Sequence, residues 1–249
     1  MKNAETALIV GGGPGLSASC ARLLKAEGIQ VALAARDITK DALKELEEKG
    51  CHLYRCDASV PESVESLFKA VEENLKTPKL VIHNIDGRTS EIFRKAITEA
   101  TPALVQKVIQ NSAFSAFLIG QQAAKCMMKT EIPENGHRGT IIFTNATAAF
   151  KGVPNSGAFA LACHGKSGLA QSMARELMPK GIHVAHVPID TAIGRKSKDG
   201  SISHRIAGRM KNDDMSDPDQ IAKVYYQIHQ QHRSTWTYEV ILRPWLEDW

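Results

Sequence analysis

Short apolar, β-branched runs recur along the chain at Ala7–Val10, Gln30–Ala34, Cys51–Tyr54, Lys79–Ile82, Thr140–Phe143, His183–Val187 and Tyr238–Leu242. Runs of this length bounded by polar residues predict seven strands. Between them lie segments with helical apolar spacing, over 15–27, 38–49, 61–75, 102–129, 156–178 and 217–231, several opened by Ser, Thr or Asp in capping position. The connections are too long for hairpins, so the strands are parallel and their crossovers right-handed. The pattern predicts an α/β, Rossmann-type doubly wound parallel seven-stranded sheet with helices on both faces.

Composition adds bounds to this picture. With 249 residues, 43% hydrophobic but only 6% aromatic, the chain suits one domain over 1–249. Lys and Arg (31) scarcely exceed Asp and Glu (27) and are interspersed with them, which argues against a nucleic-acid partner. Five cysteines, Cys20, Cys51, Cys56, Cys126 and Cys163, lack metal-ligand or redox-pair spacing, so free thiols in a reducing compartment and no metal are expected. No signal pattern and no membrane-length apolar run is seen, and a cytoplasmic protein without a membrane partner is expected. The segment from about 191 to 214, rich in Gly, Ser, Lys and Asp, is expected to be a mobile substrate lid.

The first candidate chemistry follows the first strand. Gly11, Gly13 and Gly15, with Leu16 and Ser17 opening a helical run, form a turn that brings backbone N–H groups and a helix dipole to a pyrophosphate. At the end of the second strand stands Arg36, matched to a 2′-phosphate, followed by Asp37, suited to ribose hydroxyls. The expected cofactor is therefore NADP, with NAD as the alternative.

Val10-Gly-Gly-Gly-Pro-Gly-Leu-Ser17 resembles the Thr-Gly-x-x-x-Gly-x-Gly turn of the short-chain dehydrogenases/reductases, with Val10 and Ser17 as departures. Cys56-Asp57-Ala58 looks like that family's adenine-contacting stretch, and His83-Asn84-Ile85-Asp86 stands where it has Asn-Asn-Ala-Gly, keeping Asn84. The resemblance covers nearly the whole chain and implies cofactor contacts from Asp57, Ala58, Asn84 and Ile193.

Family members use serine, tyrosine and lysine, the last two as Tyr-x-x-x-Lys on one helix face. There the tyrosine moves the proton, the lysine lowers its pKa and holds the ribose, and the serine positions the substrate oxygen. Counting back from Gln171-Ser-Met-Ala-Arg-Glu-Leu-Met-Pro-Lys-Gly-Ile-His-Val184, the three positions hold Ala146, Phe159 and Cys163. The family's structural asparagine falls near Ser112, with Asn111 beside it. None of the three catalytic positions keeps its family residue, which resembles a divergent branch where phenylalanine replaces tyrosine.

Replacement chemistry has few sources. Thr147 is the candidate hydroxyl, with Thr144 nearby. Lys166 lies three residues past Cys163 on nearly the same helix face, with its ammonium expected to reach back over the thiol. Phe159 and Lys166 share the Tyr-x₆-Lys spacing of enoyl reductases, but those keep lysine in its usual place, so the match is a coincidence of spacing. His164 lies about 100° around the helix from Cys163 and reads as an interface or core residue. His183 and His186, three apart on a strand, face opposite ways and read as packing.

Three functions fit these residues: an NADP-dependent oxidoreductase on an unidentified carbonyl or alcohol, a nucleotide-binding sensor or partner subunit without turnover, and a lyase or isomerase reusing the pocket. Phe150, Val153 and Phe159 offer an apolar wall to the substrate. The long helices and the Trp245–Trp249 tail imply a homodimer or homotetramer.

Overall fold

A computed structural model describes residues 5–197, 199–204, 208–209 and 214–248. Strands β1 (Thr6–Val10), β2 (Gln30–Ala35), β3 (His52–Arg55), β4 (Leu80–His83), β5 (Gly139–Ala146) and β6 (Ile182–Ile189) alternate with helices α1 (Leu16–Ala26), α2 (Asp41–Glu48), α3 (Pro61–Asn74), α4 (Pro102–Ile109), α5 (Ser115–Met128) and α6 (Gly157–Leu177). The strands form one parallel sheet in the order β3-β2-β1-β4-β5-β6. A last helix, α7 (Pro218–His229), packs on α1.

The period-2 alternation of the strands sorts the core into two layers. Ala7, Ile9, Val31, Leu33, Ile82, Ile142, Ala185 and Val187 face α1, α2 and α7. Leu8, Val10, Ala32, Val81, Ile141, Phe143 and Val184 face α3, α5 and α6. Both faces of each inner strand are buried, which is why these strands read as continuous apolar runs.

The sheet has six strands, not the seven expected. Residues 238–242 do lie parallel to β6, with Tyr238 O accepting from His186 N, Val240 N donating to His186 O, Leu242 N to Pro188 O and Asp190 N to Leu242 O. The bond that would close the ladder requires an N–H at residue 188, and proline has none. Pairing is thereby reduced to two isolated bridges, His186 with Glu239 and Ile189 with Leu242.

The helix expected over 102–129 is broken into α4 and α5 by a π turn at Gln110–Phe114. A π turn takes up one extra residue, so Asn111 lies within a register that a straight α-helix would not produce. Helix α4 starts at the Thr101 cap and α7 at the Asp217 cap, both with side-chain oxygens accepting backbone N–H groups.

Within 191–214, residues 198, 205–207 and 210–213 lie outside the described residues. The described part is not a featureless loop: β7 (Arg195–Lys196), β8 (Ile202–His204) and β9 (Gly208–Arg209) make a small antiparallel sheet. Among the described residues, no helix is long and apolar enough to cross a membrane, and all five cysteines are free and buried.

Candidate active site

Strand order reverses between β1 and β4, and a doubly wound sheet opens its ligand crevice at that point. Here the crevice is a cleft of about 700 Å³ running from Arg36 and Asp57 past Gly11 and Asn84 to Asp86 and Arg88. Gly11 has φ +102, and a Cβ there would overlap the Asn84 backbone. Nothing lies within 4 Å of a Cβ built on Gly13 or Gly15. Helix α1 starts without a side-chain cap or first-turn acid, leaving first-turn N–H groups for an anion. This open backbone cradle at a helix N-terminus has the room and the free N–H groups that fit a phosphate group.

Ser17, the departure at the third glycine position, is buried. Its hydroxyl donates to Gly11 O (2.8 Å) and accepts from Asn84 Nδ2 (2.7 Å), tying the glycine turn to the loop after β4. Ser17→Ala is expected to cost about 1–2 kcal/mol by stranding both partners. Urea denaturation reads this as a lower midpoint, and an unchanged one would show that the link carries no weight.

At one end of the cleft, Arg36 is exposed at the end of β2. Asp37 is turned onto its own loop, its carboxylate accepting from Thr39 N (2.9 Å) and Oγ1 (2.6 Å), bonds that lower its pKa. Burial raises the Asp57 carboxyl, but bonds from Ser59 and the charge of Arg36 outweigh it and leave it below its ordinary value. Ala58 is buried beside it.

At the other end, Phe159 and Cys163 belong to an apolar cluster with Ile92, Val108 and Ala162. Burial pushes the Cys163 thiol up to about 11 despite the nearby charge of Lys166, so it is not a thiolate at neutral pH. Lys166 is itself buried. Its Nζ donates to Ile85 O (2.9 Å) and Thr144 O (3.2 Å), joining the ends of β4 and β5, and burial pushes it down to about 8.

Thr144 turns its hydroxyl to Tyr225 (2.8 Å) on α7, whereas Thr147 is half-buried at the start of a 3₁₀ turn after β5, just past Ala146. His164 is not a core residue: it is exposed, and its Nδ1 donates to Ala160 O (3.0 Å) of its own helix. Ile193 bridges Ser216 and packs against the sheet. Phe150 and Val153 are exposed.

Several residues were not singled out for these roles from sequence. Asn145 donates to Cys163 O (2.9 Å) and His186 Nε2 (2.8 Å); with Nε2 accepting, Nδ1 carries the proton and donates to Glu239 (2.8 Å). Buried Asp190 pairs with Lys151 (3.1 Å) and Arg243 (3.3 Å), holding the C-terminal segment to β6. Arg88 places its guanidinium 4.0 Å over the Phe159 ring and grips Asp86 with two bonds (2.7 and 2.6 Å). Only the Asp-Gly-Arg run over residues 86–88 hinted at a turn here; its meeting with Phe159 is a long-range contact.

A nucleotide-sized cleft at the switch point of a doubly wound sheet defines a dinucleotide-binding α/β protein. The chain matches the family described as enoyl-(acyl carrier protein) reductase over residues 12–242. It belongs to the short-chain dehydrogenase/reductase superfamily. It is 28% identical to the 3-oxoacyl-[acyl-carrier-protein] reductase MabA of Mycobacterium tuberculosis over 77% of this chain and 72% of that one. A short-chain dehydrogenase from Rhodopseudomonas palustris is 30% identical with a TM-score of 0.76, covering 98% of this chain and 100% of that one. The same fold occurs in a metagenomic short-chain oxidoreductase crystallised with NADP, at 22% identity and TM-score 0.76 over 97% and 98% of the two chains.

Proposed function

We propose that this chain is an NADP(H)-dependent oxidoreductase working on a carbonyl–alcohol pair without a tyrosine proton donor. The observation that carries it is the cleft itself: an uncapped helix N-terminus behind a glycine cradle, with Arg36 free at the adenosine end while Asp37 is engaged by Thr39. The NADP complex of a relative of the same fold and the 3-oxoacyl reductases among the curated relatives support it. When bound, the nicotinamide supplies or accepts the hydride.

The chain's own residues bind and orient. Gly13, Gly15 and Leu16 would hold phosphate, Arg36 would meet the 2′-phosphate, and Asp57 and Ala58 would contact the adenine. Asn84 stiffens the turn through Ser17, and Ile193 would contact the nicotinamide. Thr147 provides the hydroxyl nearest the former serine position, with water as proton source.

Calorimetric titration with NADPH and NADH tests this directly. Micromolar NADPH binding, weaker NADH binding, and a loss of about 10–100-fold for NADPH in Arg36→Ala are expected from one charge-assisted phosphate contact. Absence of binding by either nucleotide would sink the oxidoreductase reading.

A second reading, a nucleotide-binding sensor or partner subunit, is favoured by three observations: Phe159 offers no proton, the Cys163 thiol stays protonated, and Lys166 is committed to two carbonyls. Tight NADPH binding without turnover on any carbonyl would select it. In either case we place the protein in a homodimer or homotetramer. The groove between α3, α5 and α6, with Phe117, Met128, Leu169 and Met173 in its wall, supports that arrangement.

A further inference from the structure

The Arg88 guanidinium lies on the ring of Phe159, the residue at the family's tyrosine position, at 4.0 Å from its centroid, and 5.1 Å from the centroid of Phe93. Its Nε and Nη2 donate to the two oxygens of Asp86. A guanidinium has five N–H groups, so three remain, on Nη1 and Nη2, and no described residue receives them. Contact with the two aromatic rings holds the group in place, and Asp86 fixes one edge. The opposite edge is left as a two-pronged donor on the wall of the nucleotide cleft.

The loop carrying this fork is held in place. Gly87 has φ +87, and a Cβ there would come within 2.6 Å of Ser112 Cβ, so the loop is seated directly against the π turn. Asn111 donates to Gly87 O (3.3 Å) from the same turn. The cleft is lined by three basic and four acidic residues, so it is the free edge of the Arg88 guanidinium, not net charge, that favours an anion here.

What such a fork recognises follows from its chemistry. Guanidinium stays protonated in proteins, so it does not replace tyrosine as a proton donor. Two parallel N–H groups match a carboxylate, which binds as an anion and requires no proton. We propose that Arg88 anchors a carboxylate on the substrate, so that the substrate class is carbonyl compounds that are also carboxylic acids. This rests on the oxidoreductase reading given above and narrows it.

The test is calorimetry on the full chain, with and without saturating NADP⁺, using benzoylformate and its methyl ester as probes. The acid is expected to bind at least tenfold more tightly than the ester. Arg88→Met is expected to weaken the acid at least tenfold, to the level of the ester, while NADPH affinity stays within twofold. Arg88→Lys, which keeps the charge and guards against a folding defect, is expected to fall between. Equal binding of acid and ester, no binding of the acid, or an unchanged acid affinity in Arg88→Met overturns the proposal. So does a parallel loss of NADPH affinity, which would make Arg88 a cofactor residue. If neither nucleotide binds, the oxidoreductase reading fails by itself, and the acid–ester comparison on nucleotide-free protein still decides whether Arg88 holds a carboxylate.

Discussion

Gly11→Ala is expected to unfold the nucleotide half of the protein, whereas Gly13→Ala is expected to leave the fold intact and remove only nucleotide binding. At Gly11 the backbone is left-handed (φ +102), and an added Cβ would overlap the Asn84 carbonyl and sit 2.9 Å from Ile85 Cγ1. Left-handed backbone costs an alanine about 1–2 kcal/mol. The overlap must also displace the loop that leads from Asn84 to Arg88, so a total above about 4 kcal/mol is expected, at the extreme of single-residue effects. At Gly13 a Cβ meets no protein atom within 4 Å. The methyl group instead enters the space where backbone N–H groups approach phosphate. Thermal denaturation and NADPH calorimetry on both variants separate the cases: equal stability of the two would remove the assignment of Gly11 to structure and Gly13 to ligand.

Acid is expected to destabilise the protein well above the range where carboxylates titrate. Burial lowers the pKa of His83, His137, His183 and His186, reaching about 4 for His183. His183 is fully buried, stacked 4.8 Å from Trp236, with its Nε2 bonded to Thr237 O. The unfolded chain takes up these protons near pH 6.5 and the folded chain does not, so the unfolded state binds more protons as pH falls from 6.5 toward 4. Stability is therefore highest above pH 6.5 and declines below it. By pH 5, His183 alone costs about 2 kcal/mol, or roughly 4–8 °C in Tm for a chain of this size. His183→Phe keeps an aromatic ring against Trp236 without the titration, and its Tm should fall less steeply from pH 7 to 5. A wild-type Tm that is flat over this range, or an equal slope in the variant, would contradict the assignment.

The features read at the glycine-turn end of the cleft are local ones. Gly11 to Leu16 follow a strand and open a helix within one turn of chain, and Arg36, Asp57 and Asn84 each stand at the end of a strand whose apolar run announces it. At the other end of the cleft the sequence offered an expectation of loss, at Ala146, Phe159 and Cys163, drawn from the family resemblance. What surrounds these positions was not legible, because Arg88 meets Phe159 across 71 residues of sequence and Lys166 reaches Ile85 across 81. The seventh strand was misjudged for a local reason: Pro188 lies within β6 and its missing donor falls on the bond that the Tyr238–Leu242 segment needed.

What apolar periodicity and backbone freedom specify over a few residues is the alternation of strand and helix, the burial of the inner strands on both faces and the glycine turn after β1. Only the tertiary structure decided where the side chains at the catalytic end go. Lys166 turns into the sheet ends to satisfy two carbonyls, Asn145 and His186 align their hydrogens through Glu239, and Arg88 settles on Phe159 with Asp86 at its edge. Each of these is a contact between distant segments whose hydrogen bonds and charges become satisfiable only once the sheet has brought the ends of β4, β5 and β6 together.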